Sequence, residues 1–531
     1  MQGLSTTDNG KYIKIWSEVD FRQIKLATKT PEESVLSSKK WYPINKGGGT
    51  KKWYGNQIEV INWRHNGENV KSNPKAVIRG EEGYFKPSVT WNKICSSYVT
   101  FRYYPEGFIV DSASNVIPCD DTKSMMGYLC SKITNLIGAI INPTLNLSNG
   151  VLGRFPYLGV DNHQIHDIVD NCITISRQDW NSHEISWDFL CNELLSVDEQ
   201  TYMDNINIFV EDHYKETGER LCIDPAAPQL DSLAWRIEQY KQKWEHKFKQ
   251  LHENEEELNR QFIDIYGLQN ELTPDVPLDE ITILQQGEIA INDNKIEWHD
   301  DVLIKQLISY AVGCMMGRYS IDKPGLILAN QGDGLKEYEA LVSNSRFEID
   351  DDGIIPLMAS NTDFADNATI RFKKWLTVVL GEDRLVENLN TVEAALGKTI
   401  DDFFVKDFWK YHKKMYQNRP IYWLFSSKKG AFQCIAYMHR MTPYTAEQIR
   451  TKYLLPHIEW LVQKQSEMEE NSANLSTAER RELDRLTTQI TECREYHDRL
   501  HEVADKQIAF DLDDGVVVNY AKFGDVLQKL K

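Results

Sequence analysis

The 531-residue chain is 41 % hydrophobic and carries 14 Trp and 24 Tyr, a composition that excludes disorder and leaves room for about three domains or subdomains. Its longest apolar runs, Leu136–Ile141 and Ala311–Met316, are too short to cross a bilayer, and no charged-then-apolar segment opens it, so a cytoplasmic protein without a membrane span is expected. The net charge of −19 hides an asymmetry: residues 1–160 hold 20 Lys and Arg against 13 Asp and Glu, while the remainder holds 40 against 66.

Residues 1–160 read as mixed β structure, with short alternating runs such as Ile58–Trp63 and Ser97–Tyr104 separated by Gly, Pro and Asn. Within them Lys39–Trp63 reads KKWYPINKGGGTKKWYGNQIEVINW, two Lys-Lys-Trp boxes around a run of three glycines. Cations for phosphate, flat rings for stacking and a backbone free to enter a groove suit nucleic acid. The same string also reads as a basic hairpin with a half-buried Trp on each strand, because Trp and Tyr on short strands commonly serve a core. A basic face on an acidic body is how a large protein holds DNA in one place. From Thr122 to Ile141 the positions Met126, Leu129, Ile133, Leu136, Ile137 and Ile140 have helical spacing, and Asn142-Pro143 ends the run.

Residues 161–230 form a connecting segment with the polar-aromatic string ISRQDWNSHEISWDF at 175–189. The segment Pro225-Ala-Ala-Pro228 marks a break, and Asp231 is placed to cap a long helix. In that helix Leu233, Ile237, Tyr240, Trp244, Phe248 and Leu251 recur at spacings of 4, 3, 4, 4 and 3, a core or partner-helix stripe. Residues 231–450 are mixed and mostly helical. Residues 451–531 hold a helical hairpin, Leu454–Ala504, and a further amphipathic element, Phe523–Leu530. In the hairpin's second arm Leu483, Leu486, Ile490, Cys493, His497, Leu500 and Ala504 form a coiled-coil-like seam, and Glu470–Ser476 is its turn. The fold class is therefore α+β.

Catalytic signatures are missing. No P-loop, dinucleotide fingerprint or Gly-x-Ser-x-Gly elbow occurs, and the run Gly47-Gly48-Gly49 lacks the helix such loops need. His163 and His166 have ligand-like spacing with Cys172 nearby, but an isolated pair reads as structural. The run Glu348–Gly353 opens like a calcium loop, yet Ala359 stands where the closing Glu would be, so it reads as an acidic turn. His299-Asp300-Asp301 reads equally as a base with its orienter or as a helix start. The nine cysteines, odd in number and without paired spacing, read as reduced thiols. No metal and no catalytic residue is assigned.

Several strings nevertheless resemble one family in order. Gly3-Leu4-x-Thr6-x-Asp8-Asn9 with Trp16-x-Glu18-Val19, then Trp41-Tyr42-Pro43 to Lys52-Trp53-Tyr54-Gly55-Asn56, Lys86 to Trp91, and Asn142 to Asn146 resemble a target-recognition region. Ser176-Arg177-x-Asp179-Trp180 through Phe189, Ile265 to Leu268 with Glu271-Leu272, Arg419 to Trp423, and Asp511-x-Asp513-Asp514-Gly515 before Asn519-Tyr520 resemble the region on its C-terminal side. Together they resemble the C-terminal part of the PglX-type adenine-specific DNA methyltransferases of BREX phage-defence systems. One departure is Thr7, where the pattern has glycine.

The resemblance implies a DNA target-recognition domain at 1–160 acting on double-stranded DNA. It implies no cofactor in this chain, with S-adenosylmethionine belonging to a catalytic half. The family's Asn-Pro-Pro-Tyr/Phe motif, in which an aromatic ring stacks on the flipped adenine, does not occur, and Asn142-Pro143-Thr144 does not replace it. A truncated or split reading frame is the expectation. On this reading Lys39, Lys40, Lys46, Lys51, Lys52, Arg64 and Arg102 meet phosphates, and Asn45, Asn56 and Gln57 meet base edges. Trp41, Tyr42, Trp53 and Tyr54 stack or wedge, and replacing Lys51 and Lys52 by alanine is expected to make the salt dependence shallower. A different reading is a non-enzymatic assembly or regulatory subunit that docks a catalytic methyltransferase half or other phage-defence proteins. A third is a gene fragment without function.

Overall fold

The computed structural model describes residues 1–93, 99–119, 121–142, 146–160, 162–196, 232–362, 364–470 and 476–530. The Pro225–Pro228 break, Asp231, Pro143 to Leu145 and most of the hairpin turn lie outside these residues.

The architecture is α+β. Its N-terminal part is built on two small sheets. The first has the order β1-β3-β2-β6, with β1 Ile13–Ile15, β2 Trp41–Asn45, β3 Glu59–Asn62 and β6 Ile109–Val110. Strands β2 and β3 are an antiparallel pair, Tyr42 opposite Ile61, whereas β2 and β6 run parallel. The second sheet has the order β5-β4-β7, with β4 Ser88–Asn92, β5 Phe101–Tyr104 and β7 Ser114–Pro118.

Side chains alternate across a strand, and β2 uses both faces. Tyr42 and Ile44 enter a cluster with Ile61, Phe85 and Ile109, while Trp41 enters another with Trp16, Val19 and Val60. Every residue of β2 is buried, so the first Lys-Lys-Trp box belongs to a sandwiched strand, not to an open hairpin. The second box lies in the long β2–β3 connection. There Trp53 bridges to Arg102 in an isolated parallel pair, with φ of 69° at Trp53, 130° at Gly55 and 61° at Asn56.

The expected helix over 122–141 is two helices, Thr122–Cys130 and Lys132–Ile141, meeting at 66°. Ser131 is extended between them, and the Asn259 side chain of the long helix accepts the Lys132 N–H at 2.8 Å. A tertiary contact thus overrides a continuous 3.6-residue pattern. No single helix among the described residues is long and apolar enough to cross a membrane; this bent pair passes by length and composition, yet Met126, Leu129 and Ile133 are in the core.

The long helix spans Leu233–Tyr266 and buries the whole expected stripe; Ser232 accepts the Trp235 N–H as its cap. It packs on the helix His163–Asn181. Beyond it come a hairpin β8–β9 (Ile289–Asn292, Lys295–Trp298), the helix Asp300–Met315 and a helical group over 368–415. A further sheet has the order β10-β12-β11, from Ile354–Pro356, Gln433–Tyr437 and Tyr422–Ser426. The hairpin Leu455–Glu470 with Thr477–Asp505 follows, and after it come the short helix Val516–Ala521 and a bridge from Leu527 back to Phe425. One buried apolar cluster runs from Trp53, Val89 and Trp91 through the long helix to Leu527, crossing residue 160 without a break.

Candidate functional site

The basic-aromatic stretch is mostly turned inward. Lys51 donates to Asp179 at 3.2 Å and to the Thr282 carbonyl at 2.8 Å. Lys52 pairs with Glu255, whose other oxygen accepts the Trp53 indole N–H at 2.6 Å. Burial alone would lower the Lys52 ammonium; the buried Glu255 carboxylate overrides this and pushes it up to about 12. One turn of chain near the C-terminus supplies the carboxylate for the first box: Asp513 accepts from Lys40 at 2.5 Å and from the Trp41 indole at 2.6 Å.

The other polar groups are also committed. Asn45 donates to Thr90 at 2.7 Å, Tyr54 to Gln57 at 3.0 Å, and the fully buried Arg102 to the Lys51 carbonyl and Asn92. Tyr42 lies against Phe85, and Arg177 lies over the Tyr54 ring. Trp41, Tyr42, Asn45, Lys51, Trp53, Tyr54, Gln57 and Arg102 are buried in this structure and offer no surface to a duplex. The reason is physical: composition does not separate a lysine facing water from one facing a carboxylate brought from residue 179, 255 or 513. Lys39, Lys46 and Asn56 remain half-buried and Arg64 exposed; Asn56 closes the glycine loop by donating to the Gly49 carbonyl at 2.7 Å.

That loop forms one wall of a cleft of 750 Å³. Gly47, Gly48, Gly49, Asn56 and Ile58 contribute from the β2–β3 connection and Glu59 from the start of β3, while Trp180 contributes from the end of the helix His163–Asn181 and Ser182, His183, Glu184, Ile185 and Phe189 from the chain after it. Gln286, His299, Val302, Lys305 and Gln306 contribute from the β8–β9 side, and Tyr411, Lys414, Met415 and Gln417 from the helix Phe408–Met415. A second hollow adjoins it, lined by Lys398, Asp407 and Lys410 and sharing Lys305, Tyr411 and Lys414 with the first. Sequence reasoning missed these lysines. Their signal was present: Lys406, Lys410, Lys413 and Lys414 recur at helical spacing within an acidic region.

The cleft's electrostatics are set by burial. Glu59 is pushed up to about 7 by burial, which Lys46 and Arg419 only partly offset. Glu184 is also pushed up to about 7 by burial, which Ser309, Arg318 and Tyr416 only partly offset. Behind it His183 Nε2 meets Glu288 Oε1 at 2.6 Å. Burial would lower His183, but the Glu288 carboxylate overrides it and raises it to about 9; burial would raise Glu288, but His183 holds it at about 2. Gln306 donates to the same carboxylate at 2.7 Å.

The weaker sequence candidates have local partners. His166 meets Ser124 at 2.8 Å, and His299 Nδ1 meets the Gly287 carbonyl at 2.9 Å ahead of the helix Asp300–Met315. Asp350 accepts the Gly353 and Ile354 N–H groups, Lys452 pairs with Asp352, and the carboxylates of Asp350, Asp351 and Asp352 lie within 4.8 Å of one another, close enough to share a cation. The cysteines among the described residues are free thiols.

No protein-family profile matches the chain. It is 33 % identical over 562 aligned residues to the adenine-specific methyltransferase BrxX of Escherichia coli O9:H4 (strain HS), covering 100 % of this chain and 43 % of that protein. It is 33 % identical over 556 residues to the adenine-specific methyltransferase PglX of Lacticaseibacillus casei (strain Zhang), covering 98 % of this chain and 42 % of that protein. The chain is homologous to both and spans less than half the length of these curated relatives.

Proposed function

We propose that this chain is the DNA-addressing portion of an adenine-specific (N6) DNA methyltransferase used in phage defence, with double-stranded DNA as its partner and a catalytic half as its complement. The observation that carries the reading is the alignment with two adenine-specific methyltransferases from end to end of this chain. The geometry supports it in a second way. The glycine loop and Asn56 line the cleft together with Lys305 and Lys414, which also border the hollow of Lys398 and Lys410, so the N-terminal loop and a lysine-bearing helix meet at one groove, where Asp301 and Asp407 pair with Lys305, Lys398 and Lys410 and leave Lys414 outside any ion pair among the described residues. In this reading Lys39, Lys46, Arg64, Lys410 and Lys414 meet phosphates and Asn56 reaches toward bases, while Lys40, Trp41, Lys51, Lys52, Trp53 and Arg102 hold the loop in place.

S-adenosylmethionine enters this reading only through the catalytic half. The sheets among the described residues are antiparallel apart from the short β2–β6 pair, and none offers the parallel crossover crevice where a nucleoside cofactor sits in doubly wound folds. No chemical step is therefore assigned to this chain.

Two measurements test the reading. N6-methyladenine mapped across the host genome, in the parent and in a strain lacking this reading frame, is expected to lose its mark at one motif in the deletion. Replacing Lys410 and Lys414 by alanine is expected to lower affinity for all duplexes and to reduce the salt slope by about one unit per lost phosphate contact. An unchanged methylome together with an unchanged slope would instead favour an assembly subunit, the role for which the acidic remainder of the chain speaks.

A further inference from the structure

We propose that the cleft between the glycine loop and the Ser182–Phe189 turn binds a single nucleotide, its base inside beside Glu59 and its phosphate at the Lys305–Lys414 rim. The volume of 750 Å³ is within the roughly 300–1,000 Å³ of pockets that enclose a small molecule. The walls supply both kinds of surface a nucleotide needs. Ile58, Ile185, Val302 and Met415 are apolar, and Trp180, Phe189 and Tyr411 are aromatic, the lining on which a base is held flat.

The polar groups are asymmetrically placed. Lys305 and Lys414 lie where the cleft meets the second hollow; Lys305 is paired with Asp301 at 2.6 Å, whereas Lys414 is exposed and has no ion-pair partner among the described residues. An anion is favoured there. Glu59 lines the other wall, half-buried and without an ion-pair partner among the described residues. Lys46 and Arg419 act on this carboxyl without pairing with it, so its oxygens are left to accept hydrogen bonds from N–H groups, and a half-buried carboxyl is costly to leave unmatched. An anion at the rim and an N–H donor at Glu59 describe a nucleotide, and favour adenine, cytosine or guanine, whose exocyclic amino group offers N–H to the carboxyl, over uracil or thymine, whose one N–H is flanked by two carbonyl oxygens that repel it. Gly48 and Gly49 are exposed beside this wall, so the backbone comes close to whatever enters.

The same chemistry has two sources, a free mononucleotide or a nucleotide drawn out of a duplex lying along the groove; the second source rests on the proposed DNA-addressing function, the first does not. The test uses the full chain. Adenosine, cytidine, guanosine and uridine 5′-monophosphates are titrated by calorimetry, and 2-aminopurine is walked through a duplex carrying the mapped motif, or a random duplex if no motif is found.

At least one amino-bearing monophosphate is expected to bind more tightly than uridine monophosphate, or 2-aminopurine emission is expected to rise at one position as the base unstacks. Either signal should fall about tenfold in affinity in Glu59→Gln and vanish in Val302→Trp, which fills the cleft; circular dichroism and duplex affinity report that both variants are folded. Heat from a monophosphate without 2-aminopurine emission assigns the free nucleotide, and emission without heat assigns the extruded one. A duplex bound normally with neither signal overturns this proposal and leaves the DNA reading standing. A monophosphate bound with no duplex affinity overturns the DNA reading and leaves this one. Uridine monophosphate binding equally well, or signals untouched by Val302→Trp, overturns it as well.

Discussion

At the scale of single residues, the N-terminal turn holds an oddity that sequence and structure locate independently. Thr7 departs from the glycine that the resemblance leads one to expect, and its φ of 59° lies in the left-handed region that a β-branched residue seldom adopts. Its hydroxyl donates to the Thr6 carbonyl at 2.7 Å, which holds the conformation without removing its strain. Thr7→Gly is expected to raise stability by about 0.5–1 kcal/mol, the relief of the left-handed strain less the added freedom of the unfolded chain, as read by urea denaturation. The His183–Glu288 pair gives a second expectation. His183 is raised from 6.5 to about 9, so its contribution is complete below pH 6.5 and is lost as the pH rises through 9. Glu288 is held at about 2, so its contribution is complete above pH 4.5 and is lost as the pH falls through 2. Denaturant midpoints measured from pH 5.5 to 9.5 should therefore fall more steeply in the native chain than in His183→Gln.

At the scale of elements, the hairpin shows what a periodic pattern can and cannot give. Leu486, Ile490, Cys493, Leu500 and Ala504 are buried as their spacing requires, but the seam passes through Tyr496 and Val503 instead of His497. Tyr496 donates to the Val526 carbonyl at 2.8 Å, while His497 turns to Arg450. A strict 3-4 alternation drifts against the 3.6-residue helix, and the neighbouring C-terminal element decides which residue fills the position. Tyr496→Ala should cost about 3–5 kcal/mol, as large-to-small aromatic core changes do, and His497→Ala less than about 1 kcal/mol, both by chemical denaturation. The stripe of Leu233–Tyr266 was fully legible because a single face meets a single core. The Thr122–Ile141 break was not, since its cause, Asn259, is far away in the sequence. Among the candidate site residues the glycine loop was legible and its depth was not: Lys51, Lys52 and Trp53 look like surface groups until Asp179 and Glu255 stand beside them.

At the scale of the whole molecule, the basic third is not a free-standing attachment. Trp53, Trp91 and Phe101 share a buried cluster with the long helix, and Lys51, Lys52 and Lys40 find their carboxylates beyond residue 160. Removing one partner of a buried ion pair costs roughly 3–5 kcal/mol, and two such losses rival the roughly 5–15 kcal/mol by which domains are stable. A fragment ending at residue 160 is expected to lack a cooperative unfolding transition, checked by tryptophan fluorescence in urea beside the full chain.

Asp513 holds Lys40 and Trp41 across 473 and 472 positions of sequence. During synthesis at about 5–20 residues per second, the carboxylate that closes the Trp41 strand is made roughly 25–95 seconds after the strand itself. Through that interval an unclosed strand edge, a bare indole and a bare ammonium group are presented to the surroundings of the ribosome. A nascent chain of this kind is a natural client for chaperones that shield aromatic segments, and its yield should respond to translation speed between those two points more than anywhere else.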